Sequence, residues 1–335
     1  MKIADFDYTL PEDRIAQTPI EPRDSAKLLV DRGSGAPDHR HVSDLPELLC
    51  EGDLLVLNET RVIPARLRLQ RATGGAAEVL LLEPRDADRR TWEALVRPGG
   101  KLAVGEILAA DGVPLVRMGE RTPAGDTFWV ELVGDDDPLV LLDRHGEMPL
   151  PPYISERLGD PERYQTVFAR EPGSAAAPTA GLHFTSELFE RLAAAGIATA
   201  TVELVVGLDT FQPISTENPL DHPMHTERYR VPPETTLACR DARRVVAVGT
   251  TAVRALESAA RSGESSGRTD LFIHRGFDWQ VVDVMMTNFH LPKTTLLMMI
   301  DAFVGPRWRS LYETALAGDY RFLSFGDAML LDRGS

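Results

Sequence analysis

The sequence predicts an α/β fold: a discontinuous, layered α/β domain interrupted by a small antiparallel β-barrel domain. Two observations carry this expectation. Residues 65–150 break into short apolar strands with frequent turns, the pattern of a small barrel or sandwich. From residue 151 onward helices and strands alternate, as in a layered α/β domain. The expected organisation is therefore 1–64 with 151–335 as the α/β domain and 65–150 as the insertion.

In chain order, Leu10-Pro11-Glu12-Asp13 starts a short helix, and the Gly52-Asp53 turn feeds a buried strand through Asn58. Within the insertion, Ala77–Leu82 and Trp92–Arg97 read as strands. The Pro98-Gly99-Gly100 turn leads to Leu102-Ala103-Val104, Asp111-Gly112 is a two-residue hairpin signal, and Thr127–Leu132 is a further strand. Thr185 or Ser186 caps a helix with Glu187 in its first turn, a stripe of Leu188, Phe189 and Leu192, and Gly196 at its end. Strands are expected at 197–206 and Val245–Val248, the latter followed by a helix through Glu257. Phe272-Ile273 and Val281-Val282 read as short strands, Leu296–Phe303 as a buried helix, and Ser262–Gly267 as an exposed loop.

With 335 residues, 43% of them hydrophobic, the chain supports one large domain or two ordinary ones. The apolar run Leu296–Ile300 is far too short to cross a bilayer and ends at Asp301. The first residues lack the basic-then-apolar signal pattern. The two cysteines, Cys50 and Cys239, have no metal-ligand spacing and read as isolated thiols. These features predict a cytoplasmic protein without a metal, and a monomer is expected. The formal charge of −15 argues against broad, non-specific nucleic-acid binding, yet leaves room for a local basic patch.

Five segments can carry chemistry, and each also has a plain structural reading. Ala177–Phe184 precedes a helix: Thr179 and Gly181 leave space for a ligand, the helix start favours an anion, and His183 can exchange a proton. It reads equally as a helix-entry loop with a core histidine. In Val248–Glu257 a strand runs into Gly249, Thr250 and Thr251, whose N–H groups and hydroxyls converge, with Arg254 one turn on. The plain alternative is N-capping with Arg254 in an ion pair. The stretch Asp221–Glu227 places His222 and His225 among carboxylates, for metal binding, acid/base work or as a polar turn; Pro223 argues against a helix presenting both. Around Thr287–Lys293, Asn288 offers a donor and an acceptor, His290 titrates, and Phe289 either stacks on a base or fills the core. Arg61 and Arg66 suit a phosphate or carboxylate, or surface ion pairs.

The order and wording of these segments resemble the S-adenosylmethionine:tRNA ribosyltransferase-isomerase family along nearly the whole chain. Matching stretches include Asp5–Pro11, Gly52–Leu67, Met148–Ile154, Tyr164–Val167, Ala176–Phe184, Asp221-His222 with Met224-His225, Val246–Ser258, Val281–Leu297 and Tyr320–Met329. The resemblance implies an α/β domain with an inserted β-barrel. It implies S-adenosylmethionine as a ribosyl donor, with no further cofactor, and tRNA carrying an aminomethyl-deazaguanine base as acceptor. The products would be epoxyqueuosine-tRNA, adenine and methionine. In that chemistry the sulfonium acidifies a ribose carbon, a base removes a proton, adenine leaves and the amine attacks. His183, His222, His225 and His290 are then the candidates for proton transfer. Arg61, Thr179, Gly181, Thr210, Phe211, Gly249, Thr250, Thr251, Arg254 and Asn288 are the candidates for binding.

One stretch departs from the family pattern. Where the family usually reads Leu-His-Val-Gly-x-Gly-Thr-Phe, this chain has Leu204-Val205-Val206-Gly207-Leu208-Asp209-Thr210-Phe211, so Val205 and Asp209 replace a histidine and a glycine. Arg275 and Asp301 also stand where Pro and Ser are commoner. The departure admits two other readings: a divergent paralogue that uses S-adenosylmethionine with a small-molecule amine, or a non-catalytic RNA- or ligand-binding protein.

Overall fold

The Gly52-Asp53 turn, with Gly52 at φ +86°, delivers the chain into Asp53–Asn58, a strand buried at every residue. In the computed structural model, which describes residues 1–335 except 124, 157, 208–212, 225 and 335, this strand lies in a nine-stranded mixed sheet. The strand order is Ser266–Thr269, Glu227–Arg230, Ala198–Leu204, Asp53–Asn58, Arg244–Val248, Val284–Asn288, Ala328–Asp332, Lys27–Asp31, Asp38–His41. The four strands from Ala198–Leu204 to Val284–Asn288 run parallel. Their continuous apolar runs are what burial on both faces demands. One face packs Leu55, Leu57, Val246, Val248 and Met286 against Phe184, Leu188 and Leu192 of the helix Ser186–Ala194 and the turn before it. Thr185 caps that helix by accepting from the Leu188 N–H at 3.1 Å. The amphipathic helix Thr250–Ser262 packs against Ala198–Leu204 and Arg244–Val248. No helix among the described residues is long and apolar enough to cross a membrane.

The chain divides into two compact units: 1–60, 151–171 and 177–335 form the first, 61–150 and 172–176 the second. In the second, six antiparallel strands follow one another as Arg66–Arg71, Ala76–Pro84, Thr91–Arg97, Phe128–Leu132, Val113–Arg121 and Ile107–Ala110. Pairing of Gln70 with Ala109 and of Arg71 with Leu108 closes them into a barrel. Burial alternates along these strands, so Trp92, Ala94 and Val96 point inward while their neighbours stay wet. Asp111 and Gly112 have φ of +48° and +83°, the backbone a two-residue hairpin turn needs.

Three local expectations need correction. Val281-Val282 is not a strand. The buried Glu257 carboxylate accepts the N–H groups of Gln280, Val281 and Val282, each at 3.0 Å, so those donors are taken before a ladder can use them. Phe272-Ile273 is also irregular; Ile273 is buried but serves as a core plug in a loop. The strand after the Pro98–Gly100 turn begins at Ile107, because Glu106 accepts the Ala103 N–H at 3.1 Å and folds Leu102–Val104 into a turn. In addition, Ser266 and Gly267, expected in a loop, open the edge strand of the large sheet, although both are exposed.

Candidate active site

A cleft opens at the carboxyl ends of the parallel strands, where open α/β sheets hold ligands. It lies within the first unit. Three of the segments singled out by sequence converge there: 177–180, 249–251 and 287–291, joined by Tyr153, Val206, Leu323 and Ser324.

Gly249 turns the chain from strand to helix at φ +87°. A Cβ there would meet nothing closer than 3.5 Å, so backbone conformation rather than space requires glycine. The helix that follows starts without a side-chain cap, which leaves the partial positive charge of its first turn facing the cleft. Thr250 and Thr251 line the cleft, and the Thr251 hydroxyl is buried with no hydrogen-bond partner. An unsatisfied buried hydroxyl costs about 1–3 kcal/mol. Its position beside free helix N–H groups suits a carboxylate or a ribose hydroxyl.

Across the cleft, Asn288 is fully engaged. Its Oδ1 accepts from the Thr179 hydroxyl at 3.0 Å, and its Nδ2 donates to the Leu323 carbonyl at 3.2 Å and faces His183 Nε2 at 3.4 Å. Asn288 therefore orients Thr179 and His183, and its Oδ1, which lines the cleft, keeps a second acceptor site for a ligand. An Nδ2–H directed at Nε2 requires the His183 proton to sit on Nδ1. His290 Nε2 lies 3.0 Å from the Thr287 hydroxyl. Its backbone is clamped by Tyr8, whose hydroxyl donates to the His290 carbonyl, and by Tyr312, whose oxygen accepts the His290 N–H.

Burial moves the proton exchange expected of these rings to acid pH. Burial, aided by the charges of Arg321 and Arg23, lowers the His183 pKa to about 4. Burial alone lowers His290 to about 3. Both rings are neutral at pH 7, competent to accept a proton or donate a hydrogen bond but not stocked with one to give.

The remaining candidates lie elsewhere. Arg254 points away from the lining residues: one guanidinium nitrogen donates to the Glu227 carboxylate, and Nε donates to the Leu271 carbonyl at 3.3 Å. Burial lowers its pKa to about 10, with Asp270 opposing, so it stays cationic at neutral pH. Glu227 also accepts the Gly207 N–H at 3.4 Å, so this buried pair anchors the chain just after Val206. At Gly181 a Cβ would come within 2.8 Å of Phe168 Cζ and 3.0 Å of Thr166 Cγ2; that glycine makes room for protein, not for ligand. His222 is half-buried and is not among the lining residues. Arg61 belongs to the second unit. Thr210, Phe211, Asp209 and His225 lie outside the described residues.

Sequence reasoning missed Tyr153, Thr287, Leu323 and Ser324. The Tyr153 and Ser324 hydroxyls meet at 2.7 Å although 171 residues separate them, which no local pattern reveals. Leu323 has φ +69°, a strained value for a branched side chain. Its N–H donates to the Phe289 carbonyl at 3.2 Å, which holds the Leu323 carbonyl toward Asn288.

The chain is similar to known proteins over its whole length. The pattern of the queuosine biosynthesis protein family matches residues 3–331. The S-adenosylmethionine:tRNA ribosyltransferase-isomerase of Symbiobacterium thermophilum is 52% identical, covering 99% of this chain and 100% of its own. Its counterpart in Moorella thermoacetica is 51% identical, with the same two shares. A crystal structure of S-adenosylmethionine tRNA ribosyltransferase from Thermotoga maritima superposes with a TM-score of 0.55 at 37% identity, covering 97% of this chain and 99% of that one. This chain belongs to the S-adenosylmethionine:tRNA ribosyltransferase-isomerase family of queuosine biosynthesis proteins.

Proposed function

We propose that this protein transfers and isomerises the ribosyl moiety of S-adenosylmethionine onto the aminomethyl-deazaguanine base of tRNA, giving epoxyqueuosine-tRNA and releasing adenine and methionine. The observation that carries this reading is identity of about half with relatives so named, sustained from end to end. In this reading the uncapped turn at Thr250-Thr251 holds the carboxylate or a ribose hydroxyl of the donor. His183, kept neutral, accepts a proton at Nε2 during ribose activation once that nitrogen gives up its contact with the Asn288 amide, and His290 hydrogen-bonds the leaving base. S-adenosylmethionine is a substrate here, and no resident metal or other cofactor is invoked. The enzyme acts as a monomer in the cytoplasm, where its tRNA is.

A paralogue that modifies a small-molecule amine is not favoured, because relatives named for tRNA match over their full length and not over the α/β unit alone. A non-catalytic binding protein is not favoured on the same ground. The test is to incubate the purified protein with S-adenosylmethionine and tRNA bearing the precursor base, and to score adenine release and the mass of the modified nucleoside. Adenine release that needs the tRNA is expected. Absence of adenine release, or release that is indifferent to tRNA, would overturn the proposal.

A further inference from the structure

Two polar walls of the cleft offer opposite hydrogen-bonding groups. On one wall, the uncapped turn at Thr250-Thr251 presents backbone N–H groups and the Thr251 hydroxyl, which is buried without a partner. On the other, Asn288 and Thr179 present lone pairs. The Leu323 carbonyl, 3.2 Å from Asn288 Nδ2, can only accept, so it fixes which way the amide points. Oδ1 is then the atom that the Thr179 hydroxyl meets at 3.0 Å, and that contact uses the one hydrogen the hydroxyl has. Two oxygens 3.0 Å apart therefore face the cleft with lone pairs to offer and no hydrogen to give. Asn288 is only 2% exposed, so a hydrogen bond made there is shielded from competing water.

The two walls abut. A Cβ on Gly249 would lie 3.6 Å from that of Ala180, so Thr250, which follows the one, and Thr179, which precedes the other, flank a single contact. The Gly249 N–H also donates to the Met286 carbonyl at 2.7 Å, which holds this turn beside the strand end that carries Asn288. We propose that the Asn288–Thr179 oxygen pair holds the α-ammonium of the donor, while the Thr250-Thr251 turn holds its α-carboxylate. The inference rests on S-adenosylmethionine being the donor, as proposed above, and deepens that reading. A carboxylate only accepts hydrogen bonds and an ammonium only donates them, and in an α-amino acid one carbon separates the two. A donor-only turn beside an acceptor-only pair is the complement of that head group. A ribose diol matches the oxygen pair less well, because each of its hydroxyls also accepts and would find no donor there.

The experiment titrates three ligands by calorimetry in the absence of tRNA: S-adenosylmethionine, its analogue with hydrogen in place of the α-amino group, and its decarboxylated analogue. The proteins are the natural chain, T179V, T179S and T251V, each checked for folding by thermal melting. The natural protein should bind the deaminated analogue at least about 10-fold more weakly than S-adenosylmethionine, since hydrogen bonds to a charged group are lost. T179V should weaken S-adenosylmethionine binding roughly 10-fold or more, and T179S should keep it. T179V and the natural protein should bind the deaminated analogue alike, whereas T251V should still lose affinity for it. The decarboxylated analogue should reverse the pattern, being sensitive to T179V and indifferent to T251V. Equal losses in T179V for S-adenosylmethionine and for the deaminated analogue would overturn the inference, because the oxygen pair would then serve another part of the donor. Equal affinity of the natural protein for those two ligands would overturn it without recourse to any variant. The crossed pattern together with failure of adenine release on precursor-bearing tRNA would sink the tRNA reading and leave the head-group site standing. Absence of any S-adenosylmethionine binding would sink both.

Discussion

Replacing Thr251 by valine should move stability and donor affinity in opposite directions. Valine keeps the β-branched shape and removes only the hydroxyl, which in the free protein is buried without a partner. Deleting an unsatisfied buried hydroxyl recovers its desolvation penalty, about 1–3 kcal/mol, so the free variant should be more stable by roughly 1 kcal/mol or more. If the same hydroxyl bonds the donor carboxylate, its loss should weaken binding by about 1.5–3 kcal/mol, roughly 10- to 150-fold. Chemical denaturation without ligand and calorimetry with S-adenosylmethionine measure the two effects independently. A merely structural threonine predicts a different pair of results: stability unchanged or lowered, affinity unchanged. That pair would refute the placement of the donor at this turn.

Other consequences follow from the same geometry. Gly249→Ala should cost about 1–3 kcal/mol from the backbone conformation alone, because space for the methyl exists; a neutral substitution in denaturant titration would contradict the backbone assignment. Glu227→Gln should destabilise by roughly 3–5 kcal/mol, since it removes the carboxylate paired with the buried Arg254 cation; urea unfolding reads this directly. His183 and His290 predict acid sensitivity. Their folded pKa values, about 4 and about 3, lie below the ordinary value of 6.5, so their contribution is complete above pH 6.5. As pH falls below that value the unfolded chain binds protons first. Stability should then decline until the folded rings titrate, by roughly 3 to 5 kcal/mol per ring at most. His183→Asn should flatten the urea midpoint between pH 6.5 and 4, and an unchanged pH slope would show that the ring is not buried neutral.

Local signals were strong where one physical cause acted alone. The alternation of Trp92–Arg97, the Asp111-Gly112 turn and the Thr185 cap each depend on neighbours in sequence, and each appears in the structure. The alternation of helix and strand likewise gave the α/β class, and the turn-rich middle gave the barrel. Elements decided by distant partners were not legible. Val281-Val282 has strand-like composition, but the Glu257 carboxylate, more than 20 residues earlier, captures its donors. The edge strand Ser266–Thr269 and its inner neighbour Glu227–Arg230 are polar on their exposed faces and carry no apolar run to betray them. Within the cleft, the titration of the histidines was misjudged for the same reason. Sequence shows an imidazole, whereas its pKa belongs to the burial that the whole fold imposes.

The departure at Val205 shows how far a residue change can be read before its direction is known. Taken along the sequence, a missing histidine beside the cleft segment suggested lost proton chemistry. In the structure the Val205 N–H bonds the Arg228 carbonyl at 2.9 Å, and its side chain lines a concavity with Arg228 and Arg268, while Val206 takes the place at the cleft. A ring at position 205 would therefore sit beside Arg228 and Arg268, where an imidazolium would add a third positive charge and a neutral imidazole one more hydrogen bond. The substitution faces the concavity beside Arg228 and leaves the cleft residues Thr251 and His290 untouched. It should accordingly leave the rate of adenine release at saturating tRNA unaltered. Val205→His is expected to keep that saturated rate unchanged. A change in that rate would instead place position 205 in the chemistry.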